Sequence, residues 1–224
     1  MLTSFIAGEA NTDLNGHGTH IAGTIGSKTY GVAKKATLYG VKVLNGQGSG
    51  SWSGVIAGIN YVVKNAVPGK TIINMSLGGS KSQALNDAVD AAYAAGVVVI
   101  VAAGNDAGDA ALVSPAGASG AFAVGATDNT DTLASFSNRG KAVRLFAPGV
   151  NITSLWKGAN GATNTISGTS MASPRVAGIT ALFMANKQYT SAAAVYADLI
   201  NLSTPNVIKR VDVNTPNRLA YDGQ

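Results

Sequence analysis

The sequence predicts an α/β fold of three layers, in which a mostly parallel sheet carries helices on both faces. Apolar, β-branched segments alternate with helix-length segments along most of the 224 residues, and this alternation is typical of parallel strands joined by helical crossovers. The segment 97–103 is apolar throughout, as expected for a parallel strand that is covered on both faces. Since no Pro-, Gly- or Ser-rich linker divides the chain, residues 1–224 are predicted to form a single domain.

Each predicted element has a local signal. The segment 53–65 carries apolar residues at helical spacing, which indicates an amphipathic helix. Ser82 is a favourable N-cap for a helix over 82–95, and Gly96 is a favourable stop signal. The predicted strands are 37–43, 71–75, 97–103, 122–126 and 143–146, and the other predicted helices are 171–185 and 191–199.

The composition excludes several classes of protein. The chain has no cysteine, so a disulfide framework, a thiolate metal site and a cysteine nucleophile are all excluded. The net charge is +5, but the basic residues are scattered, which favours a solvated surface and no nucleic-acid partner. We expect no membrane partner, because the longest apolar run is far shorter than a membrane span. Residues 1–5 also lack the pattern of a signal peptide.

Ser170 is the first candidate catalytic residue. It follows Gly168-Thr169 and precedes the predicted helix over 171–185, so its hydroxyl should lie at a helix N-terminus. Free amides and the helix dipole favour negative charge at such a position, which suits a nucleophile of acyl transfer. The alternative is that Ser170 is only an N-cap, which is a common reason for a serine before a helix.

The two histidines of the chain, His17 and His20, lie in one pentapeptide, residues 16–20. Glycines on both sides of His17 let other backbone approach its ring closely, which makes it a candidate general base. A metal site is weakly indicated, because no glutamate separates the two histidines and no third ligand follows. For His20 we expect a structural role in satisfying backbone groups.

Asn105 follows the buried strand predicted over 97–103. An asparagine after glycine at the end of a strand is usually a turn residue. In a parallel sheet, however, active sites gather at the carboxyl ends of strands. The side-chain amide of Asn105 could therefore donate to an oxyanion instead.

Six short motifs occur in a fixed order. They are Asn15-Gly16-His17-Gly18-Thr19-His20-Ile21-Ala22-Gly23-Thr24, Tyr30-Gly31-Val32-Ala33, Gly40-Val41-Lys42-Val43-Leu44, Ser76-Leu77-Gly78-Gly79, Ala102-Ala103-Gly104-Asn105 and Gly168-Thr169-Ser170-Met171-Ala172. Over nearly the whole chain this order resembles the subtilisin-like serine proteases (peptidase family S8), in particular the proteinase K-like branch. It differs from that of α/β-hydrolases, in which the nucleophile precedes both of its partners.

The resemblance implies roles for individual residues. Ser170 would be the nucleophile, His17 the general base, and Asn105 an oxyanion donor together with the backbone amide of Ser170. Two extended segments and a strand end would bind the substrate. The implied substrate-binding residues are Gly48, Ser49, Gly50, Trp52, Ser76, Leu77, Gly78, Ala102, Ala103 and Gly104. Small side chains in the last three imply a broad apolar pocket, and hence a preference for apolar or aromatic residues before the scissile bond.

The chain departs from the family at the catalytic acid. Family order is acid, base, nucleophile, but only Glu9 and Asp13 precede His17. Asp13 corresponds to a loop position of the family that is not the catalytic acid, although it could swing in to support His17. We therefore expect the catalytic aspartate, and the N-terminal strand that bears it, to be lacking from this subtilisin-like fold. Either the chain is an N-terminally incomplete protease, or it is a shortened paralogue.

A second departure concerns calcium. Arg144 stands where the proteinase K-like branch has an aspartate that helps to hold calcium. A cation at this place opposes a divalent ion, so we expect no calcium there, no other metal and no cofactor. Four further aspartates are expected to be turn residues. They are Asp106, Asp109, Asp128 and Asp131.

Taken together, these features predict a serine endopeptidase that hydrolyses peptide bonds in proteins through an acyl-enzyme. The resemblance further implies an extracellular, secreted monomer that acts on protein or peptide substrates and is inhibited by its own pro-segment. The alternative is a catalytically impaired remnant that only binds extended peptides, through residues 48–52 and 76–78.

Overall fold

A six-stranded, mostly parallel sheet forms the middle layer of the computed structural model, which describes residues 2–67 and 69–221. The strands are β1 (Leu2–Ser4), β2 (Gly40–Lys42), β3 (Ile72–Met75), β4 (Gly79–Ser80), β5 (Val98–Ala102), β6 (Val113–Ser114), β7 (Phe122–Thr127), β8 (Val143–Pro148), β9 (Ile152–Leu155), β10 (Thr163–Ile166), β11 (Thr204–Pro205) and β12 (Arg218–Leu219). The order in the main sheet is β11-β12-β8-β7-β5-β3, and every pair except β11–β12 is parallel.

Helices cover both faces of this sheet. They are α1 (His17–Gly26), α2 (Trp52–Lys64), α3 (Gln83–Ala94), α4 (Thr169–Asn186) and α5 (Ala192–Leu202). Alternate residues of β5 enter two separate apolar cores, one shared with α2 and α3 and the other with α4 and α5. The three-layer α/β prediction is therefore confirmed. No helix within the described residues combines the length and the apolar character that crossing a membrane requires.

The long predicted helices and the central strands agree with the structure to within a few residues. Ser82 caps α3 by accepting a hydrogen bond from the amide of Leu85, and Gly96 follows the helix with φ of +83°. Because φ is positive there, glycine is favoured at this stop. The start of α4 differs from the prediction, since the helix begins at Thr169 and its N-cap is Gly168.

The N-terminal part contains elements that the sequence did not predict. Helix α1 begins at His17, and β1 pairs with β2 in a separate, parallel, two-stranded sheet. The predicted strand over 37–43 is reduced to the three residues that this pairing holds. In the described part of the chain, β3 pairs with β5 only, so β3 forms one edge of the main sheet.

Candidate active site

Ser170 lies in the first turn of α4, at the carboxyl edge of the main sheet. The N-cap of this helix is Gly168, without a side-chain cap, so the interpretation of Ser170 as a mere N-cap is wrong. Its hydroxyl is directed instead towards the carbonyl oxygen of Ser76, at 3.4 Å. A serine hydroxyl that caps no amide and lies beside a helix N-terminus remains available for nucleophilic attack.

Ser76 holds this turn against the end of β3. Its hydroxyl donates to the carbonyl oxygen of Ser170 at 2.9 Å and lies 2.8 Å from the hydroxyl of Ser173. The side-chain amide nitrogen of Asn74, Nδ2, donates to the hydroxyl oxygen of Ser76 at 3.0 Å. Since Ser76 and Ser173 are buried, these hydrogen bonds form with little competition from water and fix the turn that carries the nucleophile.

Asn105 follows β5, and its side chain is oriented by Thr169. Both the backbone amide and the hydroxyl of Thr169 donate to Oδ1 of Asn105, each at 2.9 Å. The Thr169 hydroxyl also accepts a hydrogen bond from the amide of Gly104 at 3.1 Å. Because a backbone amide can only donate, the accepting atom must be the oxygen of Asn105. The NH2 group of Asn105 is therefore turned away from Thr169.

Two amide nitrogens lie close to one point beside Gly168. A β-carbon built on Gly168 would lie 3.6 Å from Nδ2 of Asn105 and 3.6 Å from the backbone nitrogen of Ser170. Such a pair of preorganised donors is the arrangement that stabilises an oxyanion. Thr169, which the sequence reasoning did not single out, completes this arrangement. The sequence feature that could have indicated Thr169 is its position between Gly168 and Ser170 in the motif that contains the candidate nucleophile.

His17 is brought to the same end of the molecule by the packing of α1 on α4. Ile21 of α1 packs against Met171 of α4, and the carbonyl oxygen of Ile25 lies 3.3 Å from a β-carbon built on Gly178. The two helices therefore run in the same direction. Their first turns, which carry His17 and the candidate nucleophile, lie at the same end of the pair.

The surroundings of His17 favour its neutral form. Burial lowers the pKa of His17 below 6.5, the charge of His20 lowers it further, and the Asp13 carboxylate opposes the shift. A neutral imidazole can accept a proton, as a general base must. Among residues 2–67 and 69–221, however, no carboxylate forms an ion pair with the His17 ring.

The carboxylate of Asp13 accepts hydrogen bonds from the start of α1 and not from His17. One carboxylate oxygen accepts from the amides of Asn15 and Gly16, and the other from the amide and hydroxyl of Thr19, at distances of 2.7 to 2.9 Å. Burial raises the pKa of Asp13, but these hydrogen bonds together outweigh burial and leave the pKa lowered. The carboxylate thus acts as the cap of α1, and the alternative in which it supports His17 is not formed.

His20 has the structural role that the sequence predicted. The residue is fully buried, and its Nε2 lies 3.0 Å from the carbonyl oxygen of Ile152. Within the described residues, no group of three or more His, Asp or Glu side chains could hold a metal ion. Two of the four aspartates accept hydrogen bonds within turns, Asp109 from the amide of Ala111 and Asp128 from the amides of Thr130 and Thr132.

The segments proposed for substrate binding lie around this edge. Residues 48–50 are exposed, while Trp52 opens α2 and its ring lies about 3 Å from a β-carbon built on Gly79. Ala103 is fully buried in the core shared with α2 and α3, so its side chain offers no surface to a substrate. Gly104 is half-buried, and a side chain there would collide with Asn138.

The fold and the serine at this edge of the sheet are typical of serine hydrolases of the α/β class, and comparisons specify the family. The Subtilase family model matches residues 6–222. The chain is 52% identical over 220 residues to Subtilisin-like protease 2 of Pseudogymnoascus destructans, covering 98% of the chain and 55% of that protein. It is 48% identical over 227 residues to Proteinase T of Parengyodontium album, covering 100% of the chain and 76% of that protein.

A solved structure supports the same family and fold. The crystal structure of a cold-adapted subtilisin-like serine proteinase matches with a TM-score of 0.94 and 43% identity, over 99% of this chain and 80% of that one. The chain belongs to the subtilase family, the subtilisin-like serine endopeptidases, among relatives of the proteinase K type. It spans about half the length of several of the relatives it matches, including 58% of the cuticle-degrading protease of Metarhizium anisopliae.

Proposed function

We propose that this chain carries the nucleophile, the base and the oxyanion donors of a serine endopeptidase that acts through an acyl-enzyme. The observation that supports this most directly is that Nδ2 of Asn105 and the backbone nitrogen of Ser170 both lie 3.6 Å from a β-carbon built on Gly168. An acyl-transfer reaction places its developing negative charge at such a point. Family membership makes peptide bonds the natural substrate.

The proposed reaction has two stages. The Ser170 hydroxyl oxygen attacks the carbonyl carbon of the scissile bond while its proton passes to His17, and the carbonyl oxygen becomes an oxyanion between Asn105 and the Ser170 amide. His17 then gives the proton to the leaving amine, which leaves an ester on Ser170. In the second stage His17 takes a proton from water while the water oxygen attacks the ester carbonyl carbon. His17 then returns this proton to the Ser170 oxygen as the ester C–O bond breaks and the acid product leaves. This chemistry uses no cofactor.

A binding-only remnant is the second candidate function. It is favoured by one observation, namely that no carboxylate of the described residues pairs with His17. In serine proteases the loss of that carboxylate's function lowers kcat by about ten-thousand-fold. In this alternative, extended peptides bind between residues 48–52 and 76–78 and leave uncleaved.

The proposed specificity is broad, with a preference for apolar or aromatic residues before the cut. It is supported by the small residues Ala102 and Gly104 at the end of β5 and by the absence of a charged side chain in residues 102–105. The proposed setting is extracellular, as the names of several relatives suggest, among them the extracellular serine proteinase of a Thermus species. The proposed enzyme is a monomer that its own pro-segment inhibits.

Hydrolysis of a matched set of peptides tests these proposals. The peptides differ only in the residue before a chromogenic leaving group, which is Phe, Leu, Lys or Asp, and Ser170→Ala serves as the control. We expect turnover of the Phe and Leu peptides that the control lacks. Preference for Lys or Asp would contradict the proposed specificity. Binding of the Phe peptide with no turnover above the control would favour the remnant.

A further inference from the structure

Arg144 lies on β8, at the position where the family resemblance implies a calcium ligand. Its side chain is exposed, and one terminal nitrogen, Nη2, donates to the carbonyl oxygen of Ser119 at 3.4 Å. A guanidinium cannot coordinate a divalent cation, because all of its nitrogens are donors and it carries a positive charge. It also engages a carbonyl oxygen of the kind that calcium would need. The residues present therefore do not fit calcium here.

The Ser119 carbonyl belongs to a segment that is held from several sides. One oxygen of the Asp90 carboxylate accepts from the Ser119 hydroxyl at 2.8 Å, and the other accepts from the Gly120 amide at 2.7 Å. The Tyr196 hydroxyl donates to the carbonyl oxygen of Gly120 at 2.9 Å. This segment, residues 119–121, leads directly into β7. The Arg144 side chain links this segment to the neighbouring strand β8.

There is room for an ion if this side chain is shortened. Arg144 lines a cavity of about 310 Å³ together with Ser119, Tyr93, Phe122 and Tyr196. The Arg144 guanidinium has no ion-pair partner among the described carboxylates. The substitution Arg144→Asp would replace the positive charge by a carboxylate on the strand that Arg144 links to the Ser119 carbonyl. Carboxylate and carbonyl oxygens are the ligands that calcium prefers.

We propose that Arg144 is a built-in cation, which joins residues 119–121 to β8 in place of a bound calcium ion. The guanidinium is covalently attached to β8, so this link does not depend on the calcium concentration. The single substitution Arg144→Asp should then convert the place into a calcium-binding site. The proposal is independent of the catalytic chemistry.

Melting temperature and terbium luminescence test this proposal. All variants carry Ser170→Ala to prevent self-digestion, and each is measured with excess calcium and with a chelator. We expect calcium to raise the melting temperature of Arg144→Asp by about 5 to 11 °C when calcium is at about 100 times its Kd. The matched control Arg144→Asn, which lacks the charge, should show no such rise. Terbium, a calcium substitute, should luminesce with excitation of the tyrosines only in Arg144→Asp.

Two outcomes would overturn the proposal. One is that calcium raises the melting temperature of the protein with Arg144 as much as that of Arg144→Asp, since the arginine would then not replace the ion. The other is Arg144→Asp without any calcium response, including a variant that stays unfolded with and without calcium. A variant that folds only when calcium is present would support the proposal as strongly as a shifted melting temperature.

Discussion

The oxyanion site depends on the orientation of one side-chain amide. Asn105 is exposed, and without a partner its amide could rotate between two nearly equivalent orientations. Thr169 fixes one of them by donating twice to Oδ1. This contact joins residues that are 64 positions apart in the chain. Both residues lie in sequence motifs, but the sequence singled out only Asn105, and only the fold shows that Thr169 orients it.

This orientation leads to a prediction about turnover. Asn105→Ala should lower kcat by about 100- to 1000-fold, the loss found when the corresponding donor is removed from a subtilisin. Asn105→Asp keeps the oxygen that accepts from Thr169 but lacks the donor, so it should be impaired at least as strongly. Steady-state kinetics on the Phe peptide measure both effects.

Thr169→Val provides the matched control for that prediction. It leaves the Asn105 donor in place but removes one hydroxyl, which costs about 1 kcal/mol, or roughly fivefold in kcat, through a less ordered amide. If Asn105→Asp retained the activity of the unaltered protein, the amide would not be an oxyanion donor. The same would follow if Thr169→Val were as impaired as Asn105→Ala, because the threonine would then act directly.

At the scale of elements, α1 is the α-helix of the described residues that the sequence did not predict. Its sequence, residues 17–26, contains three glycines, and glycine disfavours helix by about 1 kcal/mol relative to alanine. The helix forms because Asp13 caps its start and because its apolar side packs on α4. In contrast, the central strands β5, β7 and β8 were predicted well, since uninterrupted apolar runs leave few alternatives.

The cap of α1 leads to a prediction about stability. Asp13→Ala removes the acceptors of four hydrogen bonds at the start of the helix, so it should lower the free energy of unfolding by about 1 to 2 kcal/mol. Asp13→Asn keeps one acceptor oxygen and should lose less. Urea unfolding, followed by circular dichroism, gives both values.

The same pair of variants tests the role of Asp13 in catalysis. As a cap, Asp13 acts mainly on the position of His17, because its electrostatic effect on the pKa of the ring is smaller than the effects of burial and of His20. The rate at which a fluorophosphonate labels Ser170 should therefore remain pH-dependent in Asp13→Asn, with the midpoint of this pH dependence little changed. A midpoint lowered far below that of the unaltered protein, together with lost labelling, would instead identify Asp13 as the acid partner of His17.

At the scale of the whole molecule, the two histidines couple folding to pH. Burial lowers the pKa of both His17 and His20 below 6.5, so the folded chain keeps them neutral at a pH where the unfolded chain binds protons. The stability that results is complete above about pH 6.5 and is lost as the pH falls through the lower folded values. The carboxylates with lowered pKa, such as Asp13, act in a separate window below 3.8.

We therefore expect the free energy of unfolding to fall as the pH is lowered from about 8 to about 5. In Ser170→Ala, used to prevent self-digestion, urea titrations across this range measure the slope. The variant His20→Asn removes one of the two groups and should show a shallower slope. A slope that is zero or of opposite sign in the protein with both histidines would contradict their neutral state in the fold.

The overall architecture was predictable because its determinants are local and repeated. Alternating strands and helices gave the three layers, and the order of the motifs gave the family, which the comparisons confirm. The separate pairing of β1 with β2 was not predictable, because three-residue strands carry too few side chains to form a pattern. The burial of the Ala103 side chain was likewise not predictable from its residue type, because it follows from the alternation of side chains along β5, which places Val99, Val101 and Ala103 in one core.

The central claim is that Ser170 is an activated nucleophile beside a formed oxyanion site. The most direct test is the intact mass of the chain after exposure to a fluorophosphonate, with Ser170→Ala as the control and circular dichroism to establish folding. We predict a single adduct that the control lacks and that forms more slowly in Asn105→Asp. A folded chain that acquires no adduct would contradict the claim.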